Sequence, residues 1–163
     1  MKVIERSKQI TFSLAMVGST SALLLSALTL GLGIGWHITF KDFKLSGLGP
    51  NIFQDMAGRY FLISIFLLLL IALLQMRNNI FIKISGLIPL AFIILQCRVL
   101  IKSKPTKLPD WVTEYSNWLE IILYIDFYFL ALGVVLLILQ LYLIRLDYRS
   151  SVYDSPHQQS SAR

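Results

Sequence analysis

The feature that most constrains this chain is a set of four long apolar stretches, separated by short charged or turn-rich connectors. A bilayer has a hydrocarbon core of about 30 Å, and roughly 20 helical residues are needed to cross it. With 56% hydrophobic and only 15% charged residues, the composition is far from that of a soluble domain. We therefore predict an all-α integral membrane four-helix bundle. The predicted spans cover residues of about 10–38, 60–76, 80–101 and 118–144.

The connectors indicate how these spans are arranged. Residues 77–79 form the whole connector between the second and third spans, so we expect those two spans to pack as an antiparallel hairpin. Pro89 lacks a backbone N–H and predicts a bend within the third span. Residues 1–149 are predicted to form one four-span transmembrane domain. Residues 150–163 are polar and have no apolar periodicity, which predicts a flexible tail.

An aromatic segment precedes the fourth span. Trp111, Tyr115 and Trp118 recur at positions i, i+4 and i+7, which would bring them to one face of a helix. Such a face suits the headgroup layer, so we predict a short interfacial amphipathic helix that anchors the fourth span. A docking surface for a partner protein is the alternative interpretation of the same residues.

Small residues recur at a spacing of four within the first span and form two ladders. Such ladders allow helix backbones to approach closely in a membrane. We expect this helix-packing face to contact the other spans of the chain, and contact with another subunit is the alternative. The two ladders are Gly18, Ala22 and Ser26, and Ala27, Gly31 and Gly35.

The sharpest polar pattern lies in the third and fourth spans. Asp126 lies about two helical turns beyond Trp118, at a depth where an unpaired carboxylate would cost several kcal/mol. Arg98 lies one turn before the end of the third span, on the same side of the membrane. Side chains of an α-helix lean towards the N-terminus of that helix. Because the two helices are antiparallel, Arg98 and Asp126 therefore lean towards each other. We therefore predict that Arg98 and Asp126 form an ion pair.

A polar stripe is predicted along the fourth span. Gly133 and Gln140 follow Asp126 at successive intervals of seven, which keeps all three near one helical face. Arg98, Asp126 and Gln140 are therefore the candidate intramembrane polar site. The site either fixes how the helices dock or belongs to a proton or ion route, and we favour the first interpretation because polar groups at several depths are sparse on spans one and two.

No pattern in the sequence predicts catalysis, a metal site or a bound cofactor. The motifs G-x-S-x-G, H-E-x-x-H and the phosphate-binding loop do not occur. The two histidines, His37 and His157, fall at the end of span one and in the tail, so one chain would not supply a two-histidine haem or zinc site. We expect no catalytic residues, no metal and no cofactor.

The charge distribution bears on partners and orientation. The net charge of +6 reflects lysine and arginine residues at headgroup level on both faces, and it indicates no nucleic-acid surface. These residues divide almost evenly, eight on the side of the termini against seven on the other. We favour both termini in the cytoplasm because the tight basic hairpin lies on that side. The absence of N-glycosylation acceptors favours a bacterial inner membrane or an organellar membrane.

Three functions are consistent with this sequence. We favour a non-enzymatic accessory, scaffold or assembly subunit of a larger membrane complex, whose partners are membrane lipids and other membrane protein subunits. The main alternative is a proton- or ion-coupled transporter or channel component that uses Asp126. A third possibility is the binding of a lipid or quinone between the helices.

Overall fold

The computed structural model describes residues 2–39, 48–76, 80–103 and 113–154. Five helices cover nearly all of these residues. They are α1 (Lys2–Thr39), α2 (Leu48–Gln75), α3 (Ile80–Ser85), α4 (Leu87–Ser103) and α5 (Thr113–Asp154).

Four helical segments are long and apolar enough to cross a membrane. They are Val3–Ile38, Ile52–Gln75, Ile80–Lys102 and Glu120–Arg149, and the third of them joins α3 to α4. The predicted all-α, multi-pass membrane fold is confirmed. Each segment extends beyond the span predicted from hydropathy at one end or both, because a helix continues past the last apolar residue until a turn or a proline stops it.

The helices form a ring in which each span packs against the next. α1 and α2 share the largest interface, the third span packs against α2 and then against α5, and α5 returns to α1. The predicted hairpin of spans two and three is therefore present. Within the described residues, α2 and α5 lie at opposite corners of the ring. A side chain must cross the centre of the bundle to join them.

The third span is interrupted at Gly86, as the position of Pro89 predicts. The ring of a proline clashes with the carbonyl of the residue four positions earlier, which here is Ser85, the last residue of α3. The backbone N–H of Gly86 donates to the carbonyl oxygens of Ile82 and Lys83, both at 3.2 Å. The break therefore lies one turn before the proline that causes it.

The fourth span differs from the prediction at both ends. α5 runs without interruption from Thr113 to Asp154, so Tyr115 and Trp118 belong to its first turns and not to a separate helix. Trp111 lies outside the described residues. The first residues of the predicted tail, 150–154, form the last turn of α5, and residues 155–163 are outside the described part of the chain. No proline occurs between residues 110 and 155, so nothing in the backbone chemistry stops the helix.

The two small-residue ladders of α1 face different surroundings. Gly18 and Ala22 are buried, and Ser26 donates a hydrogen bond to the carbonyl oxygen of Ala57 on α2 at 2.9 Å. Ala27 and Gly31 are exposed, and Gly35 is half-buried. The first ladder thus packs against the chain's own helices, whereas Ala27 and Gly31 of the second ladder face outward.

Gly18 lies where α1 packs against both α2 and α5. A Cβ atom built on Gly18 would lie 2.6 Å from Leu132 Cδ2 on α5 and 3.1 Å from Leu67 Cδ1 on α2. A Cβ built on Gly31 would meet no atom within 4 Å. A side chain at Gly18 would therefore force Leu132 to move, whereas one at Gly31 would meet no neighbouring atom.

We predict that Gly18→Val destabilises the bundle and that Gly31→Val does not. Both substitutions place the same β-branched side chain in the same helix, so their difference isolates packing. Overpacking at Gly18 is expected to lower the free energy of unfolding by about 1–3 kcal/mol relative to Gly31→Val. Unfolding in detergent micelles, followed by circular dichroism, measures the difference. Equal stabilities of the two variants would contradict the packing described above.

Candidate functional site: polar side chains between the spans

Polar and small residues on one face of α5 recur at intervals of seven. The residues are Asp126, Gly133, Gln140 and Asp147. Seven residues make nearly two helical turns, so the four share one stripe. Asp126, Gly133 and Gln140 are buried and Asp147 is partly buried. The stripe predicted from the first three therefore faces the bundle and continues to a fourth member.

Asp126 meets Tyr60 in the centre of the bundle. Both residues are fully buried, and the Tyr60 hydroxyl donates a hydrogen bond to Asp126 Oδ1. The ring of Tyr60 also contacts that of Phe129, one turn further along α5, with ring centroids 6.1 Å apart. Tyrosine is long enough to cross from α2 to α5, the opposite corner of the ring. This contact thus joins two helices whose backbones do not touch.

The predicted ion pair between Arg98 and Asp126 is not what the structure contains. The buried residues of α4 include Leu90, Ile93, Cys97 and Leu100, which are spaced as one helical stripe. Arg98 lies about 100° around the helix from Cys97 and is exposed. The prediction was based on the similar depths of Arg98 and Asp126 in the membrane. It did not consider which face of α4 packs against the other helices. An exposed guanidinium can reach the headgroups, which costs less than burial.

Gln140 contacts the break in the third span. Its Nε2 donates to the carbonyl oxygen of Lys83 at 2.7 Å, next to the interruption at Gly86. A Cβ on Gly86 would lie 2.7 Å from that nitrogen, so the amide approaches because the glycine has no side chain. The Oε1 atom of Gln140 is buried and has no hydrogen-bond partner in the described part of the chain. Gln140 is therefore the residue of α5 that braces the broken span.

An ion pair between Lys83 and Asp147 lies beside the break in the third span, near the membrane edge. Lys83 Nζ donates to Asp147 Oδ2, and only 8% and 15% of the two side chains are exposed. Lys83, in the first turn of the third span, therefore turns towards α5. Because the pair lies near the end of the span, its charges remain close to water, which lowers the cost of burying them.

A further polar contact lies between α1 and α2, where no sequence pattern predicts it. Ser19 Oγ and Ser64 Oγ are 2.9 Å apart, and Ser64 Oγ also donates to the carbonyl oxygen of Ser19 at 3.1 Å. Both serines are buried. Serine is common in membrane helices, so only the packed structure identifies these two as partners.

A layer of leucine side chains divides the polar contacts into two levels. Asp126 and Gln140 are separated by about 21 Å along α5. The contacts of Tyr60 and the two serines lie at the first level, and those of Gln140 and Lys83 at the second. Buried leucines from three helices occupy the space between: Leu67 and Leu70 of α2, Leu90 of α4 and Leu136 of α5. Among the residues that the structure describes, these polar groups therefore do not join into one path.

Metal binding finds no support in the residues that the structure describes. They contain no group of three or more histidine, cysteine, aspartate or glutamate side chains placed to hold an ion. Cys97 is buried as a free thiol. Residues of this kind are more often packed than reactive.

Comparison of the chain with protein-family models, with curated proteins and with solved structures finds no match.

We predict that Gly86→Ala weakens the brace between Gln140 and the broken span. The added methyl group displaces the Gln140 amide and leaves its polar atoms buried without hydrogen bonds, which costs about 1–3 kcal/mol of unfolding free energy. In a Gln140→Ala background the methyl group meets no amide, so the same substitution should cost less. Unfolding of the two single variants and the double variant in micelles gives the coupling energy. Strict additivity would show that Gly86 and Gln140 act independently.

Proposed function

We propose that this chain is a non-enzymatic accessory, scaffold or assembly subunit of a larger membrane complex. The observation that carries the proposal is that the buried polar groups form contacts between helices. Tyr60 joins Asp126, Gln140 joins the Lys83 carbonyl, and the two levels are separated by leucine side chains. Contacts of this kind hold helices in one arrangement, and a fixed arrangement is what an assembly partner recognises.

The outward ladder on α1 supports a protein partner in the membrane. Ala27 and Gly31 are exposed among larger apolar residues such as Leu24, Leu28 and Ile34. A helix of another subunit can approach an α-helix closely where the side chains are small. The partners in this proposal are membrane lipids and other membrane protein subunits, with no nucleic acid. Both termini face the cytoplasm, in a bacterial inner membrane or an organellar membrane.

A second candidate is a proton- or ion-coupled transporter component. The observation that favours it is the position of Asp126, a carboxyl group buried at membrane depth and hydrogen-bonded by the phenol of Tyr60. Carboxyl groups inside membranes commonly take part in proton transfer. The leucine layer below this contact weighs against a continuous route, because a proton path needs polar groups or water at successive depths.

We predict that Asp126→Leu lowers the abundance and size of the complex and that Tyr60→Phe restores both. The single variant leaves the Tyr60 hydroxyl buried without its acceptor, at a cost of about 1–3 kcal/mol. The double variant removes the donor as well, and replacing both partners by apolar groups is nearly neutral. Quantitative immunoblots of membranes and blue-native gels measure the two quantities.

The same double variant separates the two candidate functions. Under the accessory role, it retains the function of the assembled complex. Under the transport role, it assembles normally but carries no proton flux when reconstituted into liposomes with an internal pH dye. Asp126→Asn serves as a matched control, because an amide oxygen still accepts from Tyr60 while the titratable group is gone. Loss of flux in Asp126→Asn at normal abundance would overturn the accessory proposal.

A further inference from the structure

An open groove lies between α2 and α4, on the side of the membrane opposite the hairpin. It has a volume of about 630 Å³. Four of the six described residues that line it have polar side chains. The described residues that line it are Gln54, Asp55, Gly58, Arg59, Leu62 and Gln96.

Arg59 is held at the centre of this groove by both walls. Its Nε donates to Asp55 Oδ2 at 2.8 Å, one turn earlier on α2, and its Nη1 donates to Gln96 Oε1 on α4 at 3.0 Å. A guanidinium has five N–H groups, so donors remain on Nη1 and Nη2 for a further acceptor. The Asp55 side chain is 50% exposed and the Arg59 side chain 25% exposed. A positive and a negative group are therefore presented side by side in a fixed orientation.

The depth of Arg59 corresponds to the edge of the hydrocarbon layer. From Arg59 to Gln75, the end of α2, the helix rises about 24 Å, and the segment carries no charged residue between Arg59 and that end. This rise is slightly less than a hydrocarbon core of about 30 Å. The long side chain of Arg59 makes up the difference and places its guanidinium next to the headgroups on its side.

The groove becomes apolar with depth. Leu62 lines it below Arg59. One turn further into the membrane, Phe66 of α2 and Phe92 of α4 stack nearly parallel, with ring centroids 5.1 Å apart and an interplanar angle of 10°. Charged groups at the edge and apolar surface beneath them match a molecule with a polar head and a hydrocarbon chain.

We propose that this groove binds a zwitterionic phospholipid of the phosphatidylethanolamine type. Its phosphate accepts hydrogen bonds from Arg59, its ammonium group contacts Asp55 and its acyl chain lies along Leu62 towards Phe66 and Phe92. Arginine N–H groups bind phosphate oxygens well. The adjacent carboxylate of Asp55 disfavours a lipid with a purely anionic head. This lipid site is independent of the accessory role proposed above.

Gly58 allows the groove to be closed without disturbing the bundle. It is exposed, lines the groove, and a Cβ built on it would meet no atom within 4 Å. Leucine at this position fills the groove, and it is a better helix former than glycine, so folding is not impaired. Gly31→Leu is the matched control, because Gly31 is equally open but lies on α1, away from the groove.

We predict that Gly58→Leu weakens lipid binding by at least about tenfold and that Gly31→Leu leaves it unchanged. The full chain is purified in detergent, depleted of lipid and titrated with short-chain phosphatidylethanolamine, and native mass spectrometry counts the bound molecules. Circular dichroism confirms that both variants are folded. Binding to Gly58→Leu with the affinity of the unaltered chain would overturn the site.

The head group is tested by three further titrations. Phosphatidylglycerol should bind the unaltered chain more weakly than phosphatidylethanolamine, and Asp55→Asn should reduce that preference. Free phosphoethanolamine should bind far more weakly, because it lacks the acyl chains. Equal binding of phosphatidylglycerol would overturn the zwitterionic assignment, and equal binding of phosphoethanolamine would identify a soluble phosphate compound as the ligand instead of a lipid.

Discussion

The hydrocarbon core of a bilayer supplies no water to a buried polar group, so such a group must find its partners within the protein. This constraint determines how the helices of this bundle meet. Tyr60 extends across the centre to Asp126, and the backbones of their two helices do not touch. The side chains of Ser19 and Ser64 join α1 to α2. These hydrogen bonds are directional, whereas the packing of the surrounding leucine side chains is not. Together the hydrogen bonds determine which faces of the helices are turned inward.

The broken third span is an instance of the same constraint. Pro89 prevents a regular helix at Ser85, and the interruption falls at Gly86. An interrupted helix within a membrane needs polar groups from a neighbouring helix. Gln140 provides an amide because Gly86 leaves room for it, and Asp147 pairs with Lys83 two turns further along α5. Gly86 and Pro89, three residues apart, thus form one structural unit with Gln140, which lies far along the sequence from both.

The inner and outer surfaces of the bundle differ in what they can do. Inside, the polar groups contact one another and leucine side chains separate their two levels, which favours a fixed structure over a conducting one. Outside, two features are available to other molecules: the small residues Ala27 and Gly31 of α1, and the groove around Arg59. The first suits a neighbouring helix, and the second suits an amphiphile at headgroup depth.

The sequence by itself determined the number of spans, their helical nature, the hairpin of spans two and three, the break caused by Pro89 and the stripe that contains Asp126 and Gln140. Each of these follows from apolar length, helical periodicity or backbone chemistry, which are local properties. Only the tertiary structure decided that Asp126 meets Tyr60 while Arg98 faces outward, and that Gln140 reaches the Lys83 carbonyl. The physical reason is that membrane depth can be counted along a helix, whereas the rotation of each helix about its own axis depends on how all the spans pack together.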